Sequence, residues 1–207
     1  MKQKIIAQGA EAVIFLDKEK NKIVKDRIPK SYRIKELDNK IRRQRTKSEG
    51  KLLEKAGKII SCPKLLFDPG RERMIHMEFI DGLKLSENLN GFEKSKQIKI
   101  SEKIGKSISK LHDKNIIHGD LTTSNMILKK DKIYIIDFGL GYQNGKYEDK
   151  AVDIHLLKQA LEAKHFEFHK ELFESFKYGY LKINKIEAKK VLERLIAVEK
   201  RGRYKKH

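Results

Sequence analysis

The stretch from residue 116 to residue 139 constrains this chain more than any other. It reads IIHGDLTTSNMILKKDKIYIIDFG. A short apolar run leads into a polar loop with His118, Asp120 and Asn125, and two further apolar runs lead to Asp137. Apolar runs of this length, bounded by turn residues, are typical of strands. The stretch therefore predicts a small hairpin that delivers two carboxylates and one carboxamide to one edge.

These side chains match what phosphoryl transfer from a nucleoside triphosphate requires, since that chemistry is mostly positioning and metal bridging of phosphates. Asp137 and Asn125 offer hard oxygen ligands suited to Mg²⁺, which takes few protein oxygens beside phosphate and water. Asp120 is left to accept a proton from, or to orient, the attacking hydroxyl or water. A polar β-turn is the alternative, because Asp, Asn, Gly and Thr are also turn residues.

The order H-x-D-x-x-x-x-N followed by D-F-G resembles the catalytic and metal loops of the protein-kinase superfamily. The resemblance implies an α+β, minimal bilobal protein-kinase-like fold that binds ATP. Its N-lobe would be an antiparallel sheet plus a helix over residues 1–80, and its mainly helical C-lobe would span 81–199. A basic tail would follow at 200–207. With 207 residues, the chain would be a trimmed member.

The resemblance also implies how the N-lobe would hold ATP. Backbone N–H groups of one turn would cover the phosphates, from Gly9, Ala10, Glu11 and Ala12. This turn keeps one glycine of the usual G-x-G-x-x-G, and an ordinary hairpin explains it equally well. Lys25, with Lys22 as its nearest competitor, would pair with the α- and β-phosphates and with a helix glutamate. Glu49 is the expected partner, and Glu36 and Glu54 are alternatives.

The segment MEFIDG at 77–82 resembles the hinge between kinase lobes. There the carbonyl of Glu78 and the amide of Ile80 would read the adenine edge, with Met77 gating the pocket behind. An ordinary edge strand is the alternative. Apolar spacing predicts helices over 31–57, 93–114, 166–181 and 186–199. Strands are predicted at 3–7, 12–16, 22–25, 65–68 and 74–80, with a turn at 69–72.

Several residues depart from regulated protein kinases. The segment after Asp137 is short and has no A-P-E stop. Gly119 stands where an arginine usually receives a phosphorylated activation loop, and Thr122 stands where many kinases keep a phosphate-binding lysine. These departures argue against strong transfer to protein hydroxyls. Asp153, expected to open a helix, resembles the buried aspartate that braces the catalytic loop; a helix cap is the alternative.

Charge and cysteine content indicate the kinds of partner and the cellular compartment to expect. The chain has 48 Lys and Arg against 29 Asp and Glu, a formal charge of +19. This balance predicts either attraction to a polyanion such as RNA or a solvated, charge-rich surface. Cys62 is the single cysteine, which excludes an intrachain disulfide and favours a reducing cytosol. No secretory signal or membrane-spanning stretch is visible, so a cytoplasmic location is expected.

His165 and His169 lie four residues apart, a spacing compatible with a metal pair. No third ligand lies near them in the sequence. His112, at the end of a predicted helix, is expected to be structural rather than catalytic.

Five segments together resemble the small atypical kinase of the KEOPS (EKC) complex, called PRPK in animals. They are residues 8–12, 118–125, 136–139, 148–153 and 201–206. The resemblance implies an ATPase that supports threonylcarbamoyladenosine (t6A) formation in tRNA, with possible autophosphorylation. It also implies a threonylcarbamoyltransferase subunit on the C-lobe and a small KEOPS subunit on the N-lobe. Transfer RNA would contact the basic surface and the C-terminal tail. The length suggests a separate, archaeal-type subunit.

Three alternatives stay open at this point. A RIO-like protein kinase shares the loop pattern. A small-molecule phosphotransferase of the aminoglycoside or choline type also uses H-G-D-x-x-x-x-N, but it would need a larger helical domain with an acidic cleft. A noncatalytic RNA-binding scaffold would have no use for Asp120, Asn125 and Asp137 together.

Overall fold

The computed structural model describes residues 4–66 and 74–203, with only the helical backbone at 202 and 203. A sheet and one long helix form a smaller N-terminal lobe, and helices with short hairpins form a larger C-terminal lobe. The α+β, two-lobed architecture predicted from the sequence is therefore confirmed. No helix among the described residues combines the length and the apolar character needed to cross a membrane.

Four antiparallel strands in the order β1-β2-β3-β4 build the N-lobe sheet. They are Lys4–Gln8, Ala12–Asp17, Lys22–Arg27 and Met74–Glu78. The β2–β3 connection is tight because Asn21 takes a left-handed conformation with φ 46°, which Asn tolerates better than most residues. The register places Lys25 opposite Ile14 and Arg27 opposite Ala12. Both cations therefore project from the same face of β3.

One continuous helix, α1, spans Lys35–Gly57, within the range 31–57 predicted from the sequence. Its buried polar side chains include Asp38 in the first turn and Glu49 past the midpoint. Its second half buries Leu52 and Leu53, which join the main hydrophobic core of the chain. Helix α1 thus connects the ion pairs of the N-lobe with the core of the C-lobe.

The C-lobe elements follow in order. They are β5 Leu83–Lys84, α2 Leu85–Asn88, α3 Lys94–Asp113, β6 Ile116–Ile117, β7 Met126–Lys129, β8 Lys132–Ile135, β9 Tyr142–Gln143, α4 Tyr147–Lys164, α5 His169–Leu181 and α6 Lys185–Arg203. Strands β5, β7 and β8 form one sheet, and β6 pairs with β9. The β7–β8 hairpin is the one predicted between Asn125 and Asp137. The hairpin places the loop before β7 and the loop after β8 at the same end.

Helices α3 and α5 cross at two glycines. A Cβ added to Gly105 would lie 2.7 Å from the backbone nitrogen of Tyr180, and one added to Gly179 would lie 2.8 Å from the carbonyl carbon of Glu102. The backbones meet because neither residue has a side chain. The predicted apolar stripe of α3 is buried beside this crossing, at Ile100, Ile104, Ile108 and Leu111.

Some sequence-based boundaries were wrong. Asp153 lies inside α4, which begins at Tyr147, so it does not open a helix. Helix α6 extends to Arg203, into the segment predicted as a tail, and Arg201 there pairs with Glu148 of α4 at 2.7 Å. Leu65 makes an isolated bridge to Met77 instead of a strand. Residues 67 and 68 of that predicted strand, the turn at 69–72 and tail residues 204–207 lie outside the described residues.

Candidate active site

The loop after β6 holds Asp120 and Asn125 against each other. The Asn125 Nδ2 donates to Asp120 Oδ2 at 2.8 Å and to the Asp120 carbonyl at 2.9 Å. A carboxamide is planar, with its nitrogen and oxygen on opposite sides. Both bonds use the Asn125 nitrogen, so Asp120 does not engage the Asn125 Oδ1.

His118 links this loop to the segment before Asp137. Its Nε2 donates to the Ile136 carbonyl at 3.0 Å, and the Asp120 N–H donates to its Nδ1 at 3.2 Å. These partners assign the ring proton to Nε2. The Ile136 N–H in turn donates to the Asn125 carbonyl at 3.0 Å. Backbone bonds centred on Ile136 thus bring Asp120, Asn125 and Asp137 to one place.

Asp137 has a strained backbone, with φ 62°. A non-glycine residue in this region costs roughly 1–3 kcal/mol, and such residues cluster at active sites. The Asp137 Oδ1 accepts the Gly139 N–H at 3.1 Å and the Lys25 ammonium at 2.7 Å. The strained turn therefore directs a carboxylate from the C-lobe onto β3 of the N-lobe.

Lys25 is shared between the two lobes. Its Nζ lies 2.7 Å from Glu49 Oε1 and 2.7 Å from Asp137 Oδ1. The pairing of Lys25 with Glu49 that the sequence indicated is present. The alternative Glu54 instead pairs with the exposed Lys58 on its own helix at 3.2 Å.

The charges of this cluster stabilise one another. Burial alone would lower the pKa of Lys25, but Glu49 and Asp137 outweigh burial and raise it. Burial would likewise raise the pKa of Asp137, but Lys25 and the Gly139 N–H hold it below its usual range. Both groups therefore stay ionised across the neutral range. Lys25 is therefore ion-paired with both carboxylates of the cluster, Glu49 and Asp137.

Arg27 belongs to this cluster, although the sequence patterns did not reveal it. Its guanidinium is hydrogen-bonded to Glu49 Oε2, and its side chain is 5% exposed. The signal in the sequence was its position two residues after Lys25 on one strand, which puts both cations on the same face. Because the chain has 48 Lys and Arg residues, this position on the strand did not single out Arg27.

The turn between β1 and β2 contains Gly9, Ala10 and Glu11, and the fourth residue predicted to contact phosphate, Ala12, is the first residue of β2. Charged side chains tether it from outside. The Lys30 ammonium donates to the Ala10 carbonyl, and Glu11 pairs with Arg45 of α1 at 2.9 Å. These contacts hold the turn, which has a single glycine, beside α1.

The predicted hinge lies where β4 leaves the sheet. Met77 and Glu78 end the strand, and Ile80 follows it. Ile80 is buried, and Met77 packs against the main core. The Glu78 N–H donates to the Lys64 carbonyl at 2.9 Å, which ties the segment to the chain after α1.

Asp153 supports the loop formed by residues 118–125. Its Oδ2 accepts the His118 N–H at 2.8 Å, and its Oδ1 accepts the Gly119 N–H at 2.9 Å. The His112 Nε2 lies 3.3 Å from Oδ2, and the His112 Nδ1 lies 2.8 Å from the Tyr180 hydroxyl. His112 is thus structural, as predicted. Burial would raise the pKa of Asp153, but His112 and the backbone donors hold it below its usual range.

Replacing Asp153 by Asn is expected to destabilise the fold by about 2–3 kcal/mol at pH 7, because two buried N–H groups lose a charged acceptor. A carboxyl whose pKa is lower in the folded chain stabilises the fold at pH values above its pKa in the unfolded chain, about 4. This contribution disappears as the pH falls through the pKa of the folded state. The gap between wild type and variant should therefore shrink below about pH 4. Urea unfolding at several pH values measures it. A gap independent of pH would contradict this account.

His165 and His169 do not form a metal pair. The His165 ring is buried between Asn90 Oδ1, at 2.5 Å, and Thr123 Oγ1, at 3.0 Å. The His169 Nδ1 lies 2.6 Å from the Phe166 carbonyl. Burial lowers the pKa of His165. His165 therefore supports the catalytic loop at Thr123, a contact that sequence spacing did not reveal.

The donor set of this site fits a metal that arrives with phosphates. Within the part of the chain that the structure describes, no three His, Cys, Asp or Glu side chains converge to hold an ion by themselves. Asp137 and Asn125 supply two hard oxygens. Mg²⁺ usually takes one or two protein oxygens and completes its shell with phosphate and water. The residues present therefore suit a nucleotide-borne divalent ion.

Comparison with known proteins agrees with this geometry. The protein kinase domain family matches residues 2–163. The chain is 39% identical to the KEOPS complex subunit Bud32 of Pyrococcus abyssi (strain GE5 / Orsay), over 98% of this chain and 96% of that protein. It is 38% identical to the probable serine/threonine-protein kinase BUD32 homolog of Archaeoglobus fulgidus, over 97% of this chain and 96% of that protein.

A longer relative is also similar. The probable bifunctional tRNA threonylcarbamoyladenosine biosynthesis protein of Methanosarcina acetivorans is 39% identical over 95% of this chain, but the chain covers only 35% of that protein. The kinase match covers most of the chain, and two relatives align along nearly their whole length. The chain therefore belongs to the Bud32 family within the protein-kinase superfamily.

Proposed function

We propose that this chain is a kinase-fold ATPase of the KEOPS complex that supports t6A formation in tRNA. The observation that carries the catalytic part is the placement of Lys25 between Glu49 and Asp137 at 2.7 Å from each. The names of the relatives from P. abyssi and M. acetivorans support the assignment to KEOPS and to t6A biosynthesis.

The nucleotide would lie between the lobes. Its adenine would meet the Glu78 carbonyl and the Ile80 amide, with Met77 behind it. Its phosphates would lie under the turn formed by residues 9–12, where backbone N–H groups bind anions. Lys25 would turn from Asp137 to the α- and β-phosphates, because the phosphates bring more negative charge than one carboxylate.

Asp120 would orient the attacking group and accept its proton, since Asn125 holds its carboxylate in a single position. Asp137 and Asn125 would hold Mg²⁺. When bound, Mg²⁺ would neutralise the negative charge that grows on the phosphates during transfer. Asp137 becomes free for this role once Lys25 pairs with the nucleotide.

Water is the acceptor that the site favours. Thr122 stands where many protein kinases keep a phosphate-binding lysine. It carries no positive charge, so it does not assist transfer to a protein substrate in that way. The segment after Asp137 turns back at once, because β9 pairs with β6 through Ile117 and Tyr142. This segment therefore offers no extended strand along which a peptide substrate could bind. Transfer to a serine of the chain itself would be a minor side reaction.

Partners complete this proposal. A threonylcarbamoyltransferase subunit would bind the C-lobe, and a small KEOPS subunit would bind the N-lobe. Transfer RNA would contact the basic surface and the C-terminal tail, supported by the net charge of +19 and its attraction for polyanions. The chain would act in the cytoplasm.

Thin-layer chromatography of γ-labelled ATP tests the proposal directly. The purified chain is incubated with Mg²⁺ alone, with its transferase partner, and with partner plus tRNA. Free phosphate is expected as the main product, and its rate should rise with partner and tRNA. Labelled protein as the main product would favour a RIO-like protein kinase. Absence of turnover under all three conditions would favour a scaffold role.

A further inference from the structure

Two cations, Lys25 and Arg27, pair with the carboxylate of Glu49 in α1. We propose that the second, Arg27, is a positioning residue that keeps α1 in place while Lys25 serves the nucleotide. The role of Lys25 toward the nucleotide rests on the proposed function. The role of Arg27 toward Glu49 rests on contacts within the chain itself.

Each oxygen of the Glu49 carboxylate has its own cation. Lys25 takes Oε1 at 2.7 Å, and Arg27 takes Oε2 through Nη2. The side chains of Glu49 and Arg27 are 3% and 5% exposed. A guanidinium stays protonated at any pH that the protein experiences and is more weakly hydrated than an ammonium. Arg27 is therefore suited to a permanent buried pair.

Arg27 also reaches beyond Glu49. Its Nη1 lies 4.0 Å from Glu11 in the phosphate-covering turn, and Glu11 pairs with Arg45 at 2.9 Å. A Cβ added to Gly139 would lie 3.4 Å from the Arg27 Nη2, so the guanidinium borders the metal loop. Arg27 thus touches or borders the three segments that surround the phosphate region: the turn, α1 and the Asp137 loop.

Nucleotide binding explains why a second cation is needed. Lys25 neutralises both Glu49 and Asp137. Phosphates would take the place of Asp137 at this one ammonium and would share it with Glu49, so that Lys25 alone would neutralise Glu49 less completely. A buried carboxylate without a partner is strongly unfavourable. Because Arg27 keeps its bond to Oε2, Glu49 stays neutralised and α1 does not have to move.

Amide hydrogen exchange tests this without any enzymatic assay. In Lys25→Met, exchange in α1 around residue 49 is expected to stay within about threefold of wild type, since Arg27 still holds Glu49. Adding Arg27→Met should accelerate that exchange at least about tenfold, and Arg27→Lys in the same background should largely restore protection. Exchange in α5 serves as the internal control and should not change.

Two results would overturn the proposal. Lys25→Met alone could loosen α1 as much as the double variant does, which would leave Arg27 no positioning role. Faster exchange in α5 as well would show that Arg27 only supports global stability. If the double variant does not fold, Lys25→Met/Arg27→Met with Glu49→Gln removes the unpaired carboxylate. Restored folding supports the pairing of Arg27 with Glu49, and continued failure rejects it.

ATP turnover gives a second, independent test. Arg27→Met should lower kcat by about 30- to 100-fold and change nucleotide Kd by less than about threefold. Because Arg27 acts through Glu49, Arg27→Met/Glu49→Gln should be no slower than Glu49→Gln alone. Additive losses would reject the proposal. Arg194→Met is the matched control, because Arg194 pairs with Glu148 on the remote faces of α4 and α6.

The two proposals fail in different ways. A wild-type chain without ATP turnover would count against the proposed function. The exchange experiment would still decide the role of Arg27, because it needs neither nucleotide nor partner.

Discussion

Asp137→Ala is expected to lower ATP turnover by about a thousandfold or more, the largest effect on activity that we expect from a single substitution. Under the proposed function, the variant would lose a hard oxygen ligand for Mg²⁺, and it loses one of the two carboxylates that hold Lys25. Steady-state phosphate release with and without tRNA and partner measures the loss.

The fold should survive this change. The Asp137 side chain is 46% exposed, and Lys25 keeps its bond to Glu49. Asp137→Asn is a stricter variant, because Asn tolerates the left-handed backbone and removes mainly the charge. Asp131→Ala is the matched control, since Asp131 lies in the β7–β8 turn with its side chain 98% exposed. Near-normal turnover in Asp137→Ala would refute the proposed mechanism.

Gly119→Arg, which introduces the arginine of regulated kinases, should destabilise the fold by about 4 kcal/mol or more. Gly119 has φ 80°, where any side chain is strained. A Cβ there would overlap the carbonyl group of Leu140, lying 2.7 Å from its carbon. The returning segment after Asp137 therefore occupies the space that the arginine would need.

Urea unfolding and thermal melting measure this loss. Gly119→Ala tests the backbone and Cβ contribution alone and should cost about 3 kcal/mol. Gly57→Ala is the matched control, because a Cβ at Gly57 would meet nothing within 4 Å, and alanine there should be neutral or stabilise α1 slightly. An unchanged unfolding midpoint in Gly119→Arg would mean that the segment after Asp137 can move aside.

The same contact gives a physical reason for the missing arginine. The sequence showed glycine where regulated kinases receive a phosphorylated loop. The structure shows that Leu140 packs on that glycine and that β9 pairs with β6 behind it. The returning segment is held by backbone contacts, so its position needs no phosphate.

Local patterns predicted much of the fold correctly. The apolar runs around 126–135 became the β7–β8 hairpin, and the stripe from Ile100 to Leu111 became the buried face of α3. Such patterns succeed because burial repeats with the period of the element itself. Helix ends were less certain, as Asp153 and Arg203 show. Local spacing says little about where a packed helix begins or stops.

The contacts of Arg27 and His165 were beyond this kind of reasoning. Arg27 is one of 48 basic residues, and its partner Glu49 lies 22 positions away. His165 bonds Thr123 across 42 positions. Neither spacing follows from helix or strand geometry, because each depends on how separate elements pack.

The amino-acid sequence by itself determined which side chains of this protein could perform the chemistry, because motif order and residue type carry that information locally. Only the tertiary structure decided which of them meet. Lys25 and Asp137 are 112 positions apart and lie 2.7 Å from each other. Burial of the α1 core residues against the C-lobe closes that distance. Arg27, two positions after Lys25, gains its place at Glu49 from the same packing.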